Sequence, residues 1–446
     1  MKILIAGAGN VGSFLIKMFT EYDHDVTLID NDIEKLQEVA SHYDIQTFHG
    51  TMTSIQVLEQ AEVDHVDMFI AVSNYQESNI LGCIIAKNRG VAHTIARVEN
   101  EEYIAPENNN MLKNLGVDNL IYPEILVKDE ILNYLQYPSI IKSIPIASGR
   151  LFLFSLRASD NKWLSNKQLR EIIKDFPHLN ARIIAILRKD KTIIPKGNDY
   201  ILPEDIIYVI TDFEGISKVQ QELGLSAEKV KKVMILGGSK VGVKLAKALE
   251  KNCYVKIFEK EREKSYEIAN ELQDTLVIHS EARDADFLLD EGIEDTDAFI
   301  AVTGNSELNL LSCMLAKKLG VKRTFAEVEN TDYLELIQKL DVDYVINKKF
   351  TAASKIFAHT VDAKVLNMHF FADIDAQVIE LVVDENALIT QAKIKNLDFP
   401  KSAIIGGLMR KEYTEIVTGE TQILTGDKVV VFCQTQDIEK IVKWFK

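Results

Sequence analysis

MKILIAGAGNVGSFLIKMF, residues 1–19, is the stretch on which the reading of this chain turns. Ile3 to Ala6 make an apolar run of strand length, GAGNVG (7–12) follows at once, and Val11, Leu15, Met18 and Phe19 then recur at helical spacing. In a strand–turn–helix of this kind each glycine has its own reason. Gly7 allows the tight turn, Gly9 lets a pyrophosphate reach the backbone, and Gly12 lets helix and strand pack closely. The helix start offers N–H groups and a partial positive charge to the phosphates. Asp30 ends the next apolar run, DVTLID (25–30), where its carboxylate can accept both ribose hydroxyls and would repel a 2′-phosphate. Gly7, Gly9, Asn10, Val11, Gly12 and Asp30 are therefore candidate cofactor-binding residues. The motif is not a P-loop, because Ser13 and Phe14 stand where Lys and Ser/Thr are required.

Outward from this stretch the chain repeats itself. GAGNVG begins at Gly7 and GGSKVG at Gly237; DMFIAVS begins at Asp67 and DAFIAVT at Asp297, both 230 residues apart. Asn79 and Asn309, Gly90 and Gly320, and Tyr103 and Tyr333 keep the same offset. In each half, strands alternate with helices, which predicts a doubly wound parallel sheet. The stretch PENNN (106–110) reads as an extra polar loop of the first half. A helical segment follows each unit, IYPEILVKDEILNYL and INKKFTAASKIFAHTV, and then a smaller module. In the first module RLFLFSLRA and ARIIAILR read as strands, and Ser165 is placed to cap the helix carrying Leu169, Ile172 and Ile173. ILPED (201–205) pairs with ILTGD (423–427). The fold expected is α/β: Rossmann domains at 1–120 and 230–346, small α/β modules at 138–224 and 362–446, and SAEKVKK (226–232) as the central linker.

Composition bounds the function. The 446 residues suffice for three or four domains, and 47% hydrophobic with 26% charged residues describes packed cores. Acidic residues outnumber basic ones 67 to 51, and the net charge of -16 argues against a broad nucleic-acid-binding face and against adsorption to an anionic bilayer. The longest apolar runs, such as VVVFC (429–433), fall far short of the ~20 residues of a membrane span. The N-terminus lacks the apolar segment and cleavage site of a signal peptide. Four cysteines without a CxxC pair suit reduced thiols. The expectation is a cytoplasmic protein with no direct membrane insertion. Cys83 and Cys313 read as small buried residues. His49 and His279 have no second histidine at metal spacing, and no catalytic dyad or metal site is assigned.

The second copy of the site is altered. Ser239 replaces Gly9, putting a side chain where phosphate should meet backbone. Glu259 still supplies a ribose acceptor. Glu327 replaces Arg97; if Arg97 reaches the phosphates, Glu327 repels them, a contact worth about 4 kcal/mol at ~4 Å before screening. The second site is expected to be weaker or empty.

GAGNVG and VTLID, then FIAVSNYQESN (69–79), then IARVENEEY (95–103), resemble the regulator of potassium conductance (RCK) domain. Two such units, each with a small module, resemble the tandem-RCK cytosolic subunits of bacterial Trk potassium-uptake systems over essentially the whole chain. The resemblance implies RCK N domains followed by RCK C modules, binding of NAD or NADH (ATP or ADP as the alternative), and a homo-oligomeric ring of RCK units. The ring would lie beneath a potassium-transporting membrane protein of the TrkH type and gate it. The glycines, Asp30 and Arg97 match family binding positions, and Glu77 and Asn79 match its polar run; Thr51 and Ser73 complete the candidate set. Gly50-Thr51-Met52-Thr53 stands where Gly-Asp-Ala-Thr is usual, Gln76 where an acidic residue is usual, and Ser239, Ser280 and Glu327 depart in the second half. The reading is non-enzymatic. The alternative, an NAD-dependent oxidoreductase, requires a substrate domain with a positioned acid or base, and the small modules share no His or Lys pair. A third reading, a scaffold with vestigial sites, suits the second half only.

Overall fold

The computed structural model describes residues 1–21, 24–136, 142–147, 150–160, 164–176, 178–189, 191–222, 229–281, 284–329, 340–357, 365–370, 376–411 and 413–446. They divide into two compact units, Met1–Lys128 with Ile346–Thr360, and Asp129–Val345 with Val361–Lys446.

The first unit is built from β1 (Lys2–Ala6), α1 (Asn10–Glu21), β2 (Asp25–Asp30), α2 (Ile33–His42), β3 (Gln46–His49), α3 (Ile55–Gln60), β4 (Met68–Ala71), α4 (Gln76–Asn88), β5 (His93–Arg97), α5 (Glu101–Ile104), α6 (Pro106–Asn114), β6 (Asn119–Ile121) and the start of α7 (Pro123–Gln136). The sheet order is β3-β2-β1-β4-β5-β6, with every pair parallel. Ile3, Leu4, Ile5 and Ala6 are buried because helices cover both faces of a parallel sheet. Two expectations are corrected. PENNN is not a loop: Pro106 takes the first helical position, where its missing N–H costs nothing, and α6 buries Leu112. A sixth strand, β6, joins the five read from sequence; its three residues are too few to show a period.

The second unit repeats the sheet with β12 (Lys232–Leu236), α10 (Lys240–Leu249), β13 (Tyr254–Glu259), α11 (Arg262–Glu271), β14 (Leu276–His279), α12 (Ala285–Asp290), β15 (Ala298–Ala301), α13 (Ser306–Lys318), β16 (Arg323–Glu327) and β17 (Tyr344–Ile346), in the order β14-β13-β12-β15-β16-β17. The helix after it, α14 (Lys348–Phe357), belongs to the first unit. There it packs on α1, with Phe350 against Phe14 at 5.5 Å and Phe357 stacked on Phe19 at 5.3 Å. Its first residue, Lys348, pairs with Glu124 of α7. Within the second unit, Tyr134 from the end of α7 stacks on Tyr344 at 4.9 Å. The helix that follows the second sheet in sequence thus packs in the first unit, and the end of α7 packs in the second.

The small modules carry antiparallel sheets. The first contains β7 (Lys142–Ile146), β8 (Leu151–Arg157), α8 (Leu169–Asp175), β9 (Ala181–Arg188), β10 (Lys191–Ile193), β11 (Ile206–Asp212) and α9 (Phe213–Glu222); the second contains β18 (Val365–Phe370), β19 (Gln377–Val382), β20 (Ala403–Arg410), β21 (Tyr413–Ile416), β22 (Lys428–Cys433) and α15 (Ile438–Val442). Their orders, β7-β8-β11-β9-β10 and β18-β19-β22-β20-β21, are equivalent strand for strand. Arg188 binds Asp205 through two hydrogen bonds of 2.7 Å, and Arg410 binds Asp427 at 2.8 and 2.7 Å. This pairing is the physical content of the ILPED and ILTGD match. The two sheets share one apolar core, which includes Ile184, Ile210, Val378 and Phe432. Ser165 does not cap α8: its hydroxyl donates to the Ala158 carbonyl, and the cap is Gln168, whose N–H donates to the Glu171 carboxylate. Of the expected linker, residues 226–228 lie outside the described residues and Lys232 already opens β12; Tyr333 also lies outside them.

Candidate functional site

In the first sheet the strand order reverses between β1 and β4, and a cleft opens at their carboxyl ends, the place where doubly wound sheets take ligands. Gly7, Gly9, Asp30, Thr51 and Ser73 all line it. The three glycines have separable causes. Gly7 has φ +115°, and a Cβ there would lie 2.8 Å from the Ser73 N, so only glycine lets the turns after β1 and β4 meet. At Gly12 a Cβ would come within 1.8 Å of the Gly7 carbonyl oxygen. At Gly9 it would meet no protein atom within 4 Å. The fold therefore requires glycine at 7 and 12 but not at 9, where the absence of a side chain keeps the cleft floor open. Asn10 is exposed and Val11 buries its side chain, so Val11 offers the cleft only backbone.

Asp30 ends β2 with its carboxylate held from two sides: Oδ2 accepts the Ala8 N–H at 2.5 Å and Oδ1 the Asp32 N–H at 2.8 Å. A carboxylate has about four acceptor positions, so capacity for hydroxyl donors remains. Asp32 caps α2 by accepting the N–H groups of Glu34 and Lys35. The Lys35 ammonium and N–H hold the Asp32 carboxyl below its ordinary value.

Asn79 and Arg97 stand behind the lining. Asn79 is wholly buried; its Oδ1 accepts from the Ser73 N–H and hydroxyl, and its Nδ2 donates to the carbonyls of Ser73 and Arg97. All the capacity of its amide is committed inside the protein, so it ties the turn after β4 to the end of β5. Arg97 donates to Asn74 Oδ1 at 3.1 Å and pairs with Glu99 at 2.9 Å, and Asn74 in turn lines the cleft. Asn31, Lys35, Asn74, Tyr75 and Ser78 also line it, and none was expected from sequence. Lys35 was findable, since it lies in the first turn of the helix that follows the Asp30 strand. Tyr75, 68% exposed, carried no signal.

The second cleft, at the same place in the second sheet, is lined by Gly237, Ser239, Glu259, Lys264, Thr303 and neighbouring residues. Ser239 is unstrained at φ −64°, and its hydroxyl accepts the Gly242 N–H as the cap of α10. It thus takes the N–H of Gly242, for which Gly9, with no side chain, offers no acceptor at the equivalent place in the first copy. Glu259 accepts the N–H groups of Gly238 at 3.0 Å and Glu261 at 2.9 Å, and pairs with Lys264 at 3.3 Å. Burial works against its charge, but these donors outweigh it and hold the carboxyl below the ordinary range. The longer side chain is matched by a smaller neighbour: a Cβ at Gly238 would sit 2.6 Å from Glu259 Oε2, whereas the first copy pairs Ala8 with the shorter Asp30. Glu327 is buried at the end of β16, its carbonyl accepting from Asn309 as that of Arg97 does from Asn79. Cys83 and Cys313 are buried repeat equivalents, their thiols donating to the carbonyls of Ile95 and Phe325.

Comparison with known proteins agrees with this duplicated geometry. The TrkA-N domain family matches residues 3–123 and 233–348, and the TrkA-C domain family matches 153–224 and 378–446. The chain belongs to the TrkA family. Among TrkA relatives, the Trk system potassium uptake protein TrkA of Haemophilus influenzae (strain ATCC 51907 / DSM 11121 / KW20 / Rd) is 32% identical over 454 residues, covering 100% of this chain and 99% of that one. The protein of the same name from Vibrio alginolyticus is 30% identical over 438 residues, covering 97% and 95%. Among solved structures, the GsuK channel bound to NAD is alike in fold, with a TM-score of 0.63 at 14% identity over 100% of this chain and 78% of that one. Among the described residues, no helix is long and apolar enough to cross a membrane.

Proposed function

We propose that this TrkA-family protein is the regulatory subunit of a potassium uptake system, and that NAD or NADH bound in the first cleft biases the gating of a TrkH-type membrane partner. The observation that carries the reading is the open floor at Gly9 beside a fixed Asp30 carboxylate, on a chain whose relatives are named as Trk potassium uptake proteins. The start of α1, from Gly9 through Gly12, would take the pyrophosphate on backbone N–H groups. Asp30 would accept the ribose hydroxyls, and Thr51 and Ser73 would border the rest of the ligand. Asn79 and Arg97 act by holding Ser73 and Asn74. NAD comes to this chain from the like-folded GsuK channel as a proposal; ATP or ADP would present Asp30 with the same ribose. Regulation follows if the nucleotide prefers one arrangement of the subunit over another, since a ligand shifts an equilibrium only by its differential affinity. The subunits assemble as a homo-oligomeric ring on the cytoplasmic face, held to the membrane through the partner. No reaction step is assigned to the protein.

The test is mass spectrometry of the nucleotide that co-purifies, with NADH and ATP titrations of the wild type and of the Asp30→Ala and Glu259→Ala variants. Losing charge-assisted bonds of about 1.5–3 kcal/mol should weaken Asp30→Ala binding by roughly 10- to 100-fold. Glu259→Ala should leave the high-affinity site intact. Potassium uptake should lose its nucleotide dependence in Asp30→Ala. Unchanged nucleotide affinity in a folded Asp30→Ala protein would remove the site assignment.

A further inference from the structure

The first small module carries a second kind of pocket, open on one side and remote in sequence from the glycine turns. It lies between α8, α9 and the sheet, and its wall is apolar: Leu164, Leu169, Ile172, Phe176, Val209 and Val219 all face it. Two charged residues join them, Arg182 and Lys196. Arg182, near the start of β9, lines the cavity, and among the described residues its Nη1 donates to the Val417 carbonyl of the second module, with no carboxylate pairing it. Burial alone pushes its guanidinium down from the ordinary value. The contrast with its neighbours is sharp. Arg188 and Arg410 each hold a buried aspartate through two hydrogen bonds. A guanidinium has five N–H donors; one carbonyl takes one of them, and on this half-buried side chain the others stay open to an incoming acceptor.

The module repeat shows that this arrangement belongs to one copy only. Arg188 and Arg410 are equivalent, so six residues earlier Arg182 is equivalent to Ile404, which lines the same cavity from the second module. Where the first module has α8 as the cavity roof, the second has two short 3-10 turns, Leu388–Thr390 and Ile394–Asn396. Lys196 adds a second cation to the lining.

We propose that this cavity binds a small amphipathic carboxylate, its hydrocarbon chain among Leu169, Ile172, Phe176 and Val219 and its carboxylate on the Arg182 guanidinium. A carboxylate matches the planar donor fork in geometry and charge, and an aliphatic chain matches the wall. Because Arg182 also holds the Val417 carbonyl and Ile404 shares the lining, both modules register the occupant. The site is chemically separate from the nucleotide cleft.

Calorimetric titration of the full-length protein with hexanoate, octanoate, decanoate and 1-octanol tests this. Carboxylate affinity should rise roughly fourfold per added methylene until the chain outgrows the cavity. Octanoate should bind at least tenfold more tightly than 1-octanol. Arg182→Leu should lose that preference while still binding the alcohol. Ile172→Trp, which fills the cavity and keeps the arginine, should bind neither, with circular dichroism reporting that both variants fold. Asp30→Ala should bind octanoate like the wild type. The proposal is overturned by equal binding of octanoate and octanol to the wild type, by absence of saturable binding, or by undiminished octanoate binding in a folded Ile172→Trp protein. Were Arg182→Leu to misfold, the wild-type ligand comparison and Ile172→Trp would still decide it.

Discussion

At Gly9 a side chain would touch nothing in the protein, and at its equivalent Ser239 the side chain caps a helix. That pair of facts separates the demands of folding from those of binding at a single position. Gly9→Ser should leave unfolding free energy within a few tenths of a kcal/mol of wild type, or slightly raise it, because serine caps helices about as well as glycine or better. Nucleotide affinity in the first cleft should fall at least tenfold, since the hydroxyl would occupy the N–H of Gly12. Denaturant unfolding and nucleotide titration on the same sample check both halves. The Ala8–Asp30 and Gly238–Glu259 pairs follow a similar logic: one methyl group lost on the turn makes room for one methylene gained on the acid.

Among the elements, α14 has the placement with the largest consequences. It follows the second Rossmann sheet in sequence and covers the first in space, where Phe357, 1% exposed, stacks on Phe19 of α1. Truncating a buried aromatic of this kind costs about 3–5 kcal/mol. Phe357→Ala is therefore expected to destabilise the first Rossmann sheet although the residue lies in the second half of the chain. Hydrogen exchange resolved by peptide should show lost protection in α1 and in β1, with β12 to β15 unchanged. Loss of protection in β12 to β15 instead would place the helix on the wrong sheet.

For the molecule as a whole, the pairing of the two small modules ties distant parts of the sequence together. Their sheets share a core in which Gly406 leaves room for Ile210 and Ile184; a Cβ there would lie 3.1 Å from two Ile210 carbons and 3.3 Å from Ile184. The Glu380 carboxylate reinforces the pairing by accepting the Ala147 N–H at 3.1 Å. Gly406→Leu should overpack this core and cost about 1–3 kcal/mol, measured as a lowered unfolding temperature by calorimetry. Nucleotide binding at the first cleft should persist at low temperature, because no residue of that cleft lies in the modules.

What could be read from the sequence was whatever depends on local pattern or on the repeat. The glycine spacing, Asp30 at the end of a strand and the 230-residue offset were enough for two Rossmann sheets, an intact first cleft and an altered second one. Local chemistry misled where one residue type serves two purposes: Pro106 looked like loop and opens a helix, and Ser165 looked like a cap and donates to Ala158. Asn79 and Arg97 were named from sequence as candidate binding residues, but the structure sets both behind the cleft lining, held by partners 18 and 23 residues away, Arg97 and Asn74 respectively. Tertiary structure alone decided that α14 crosses to the first sheet and that Arg182 is set in an apolar cavity without an acidic partner among the described residues. Periodicity records that a helix has an apolar face but not which sheet receives it, and a lone arginine in a strand has the same sequence signature whether its charge meets water, a carboxylate or an empty pocket.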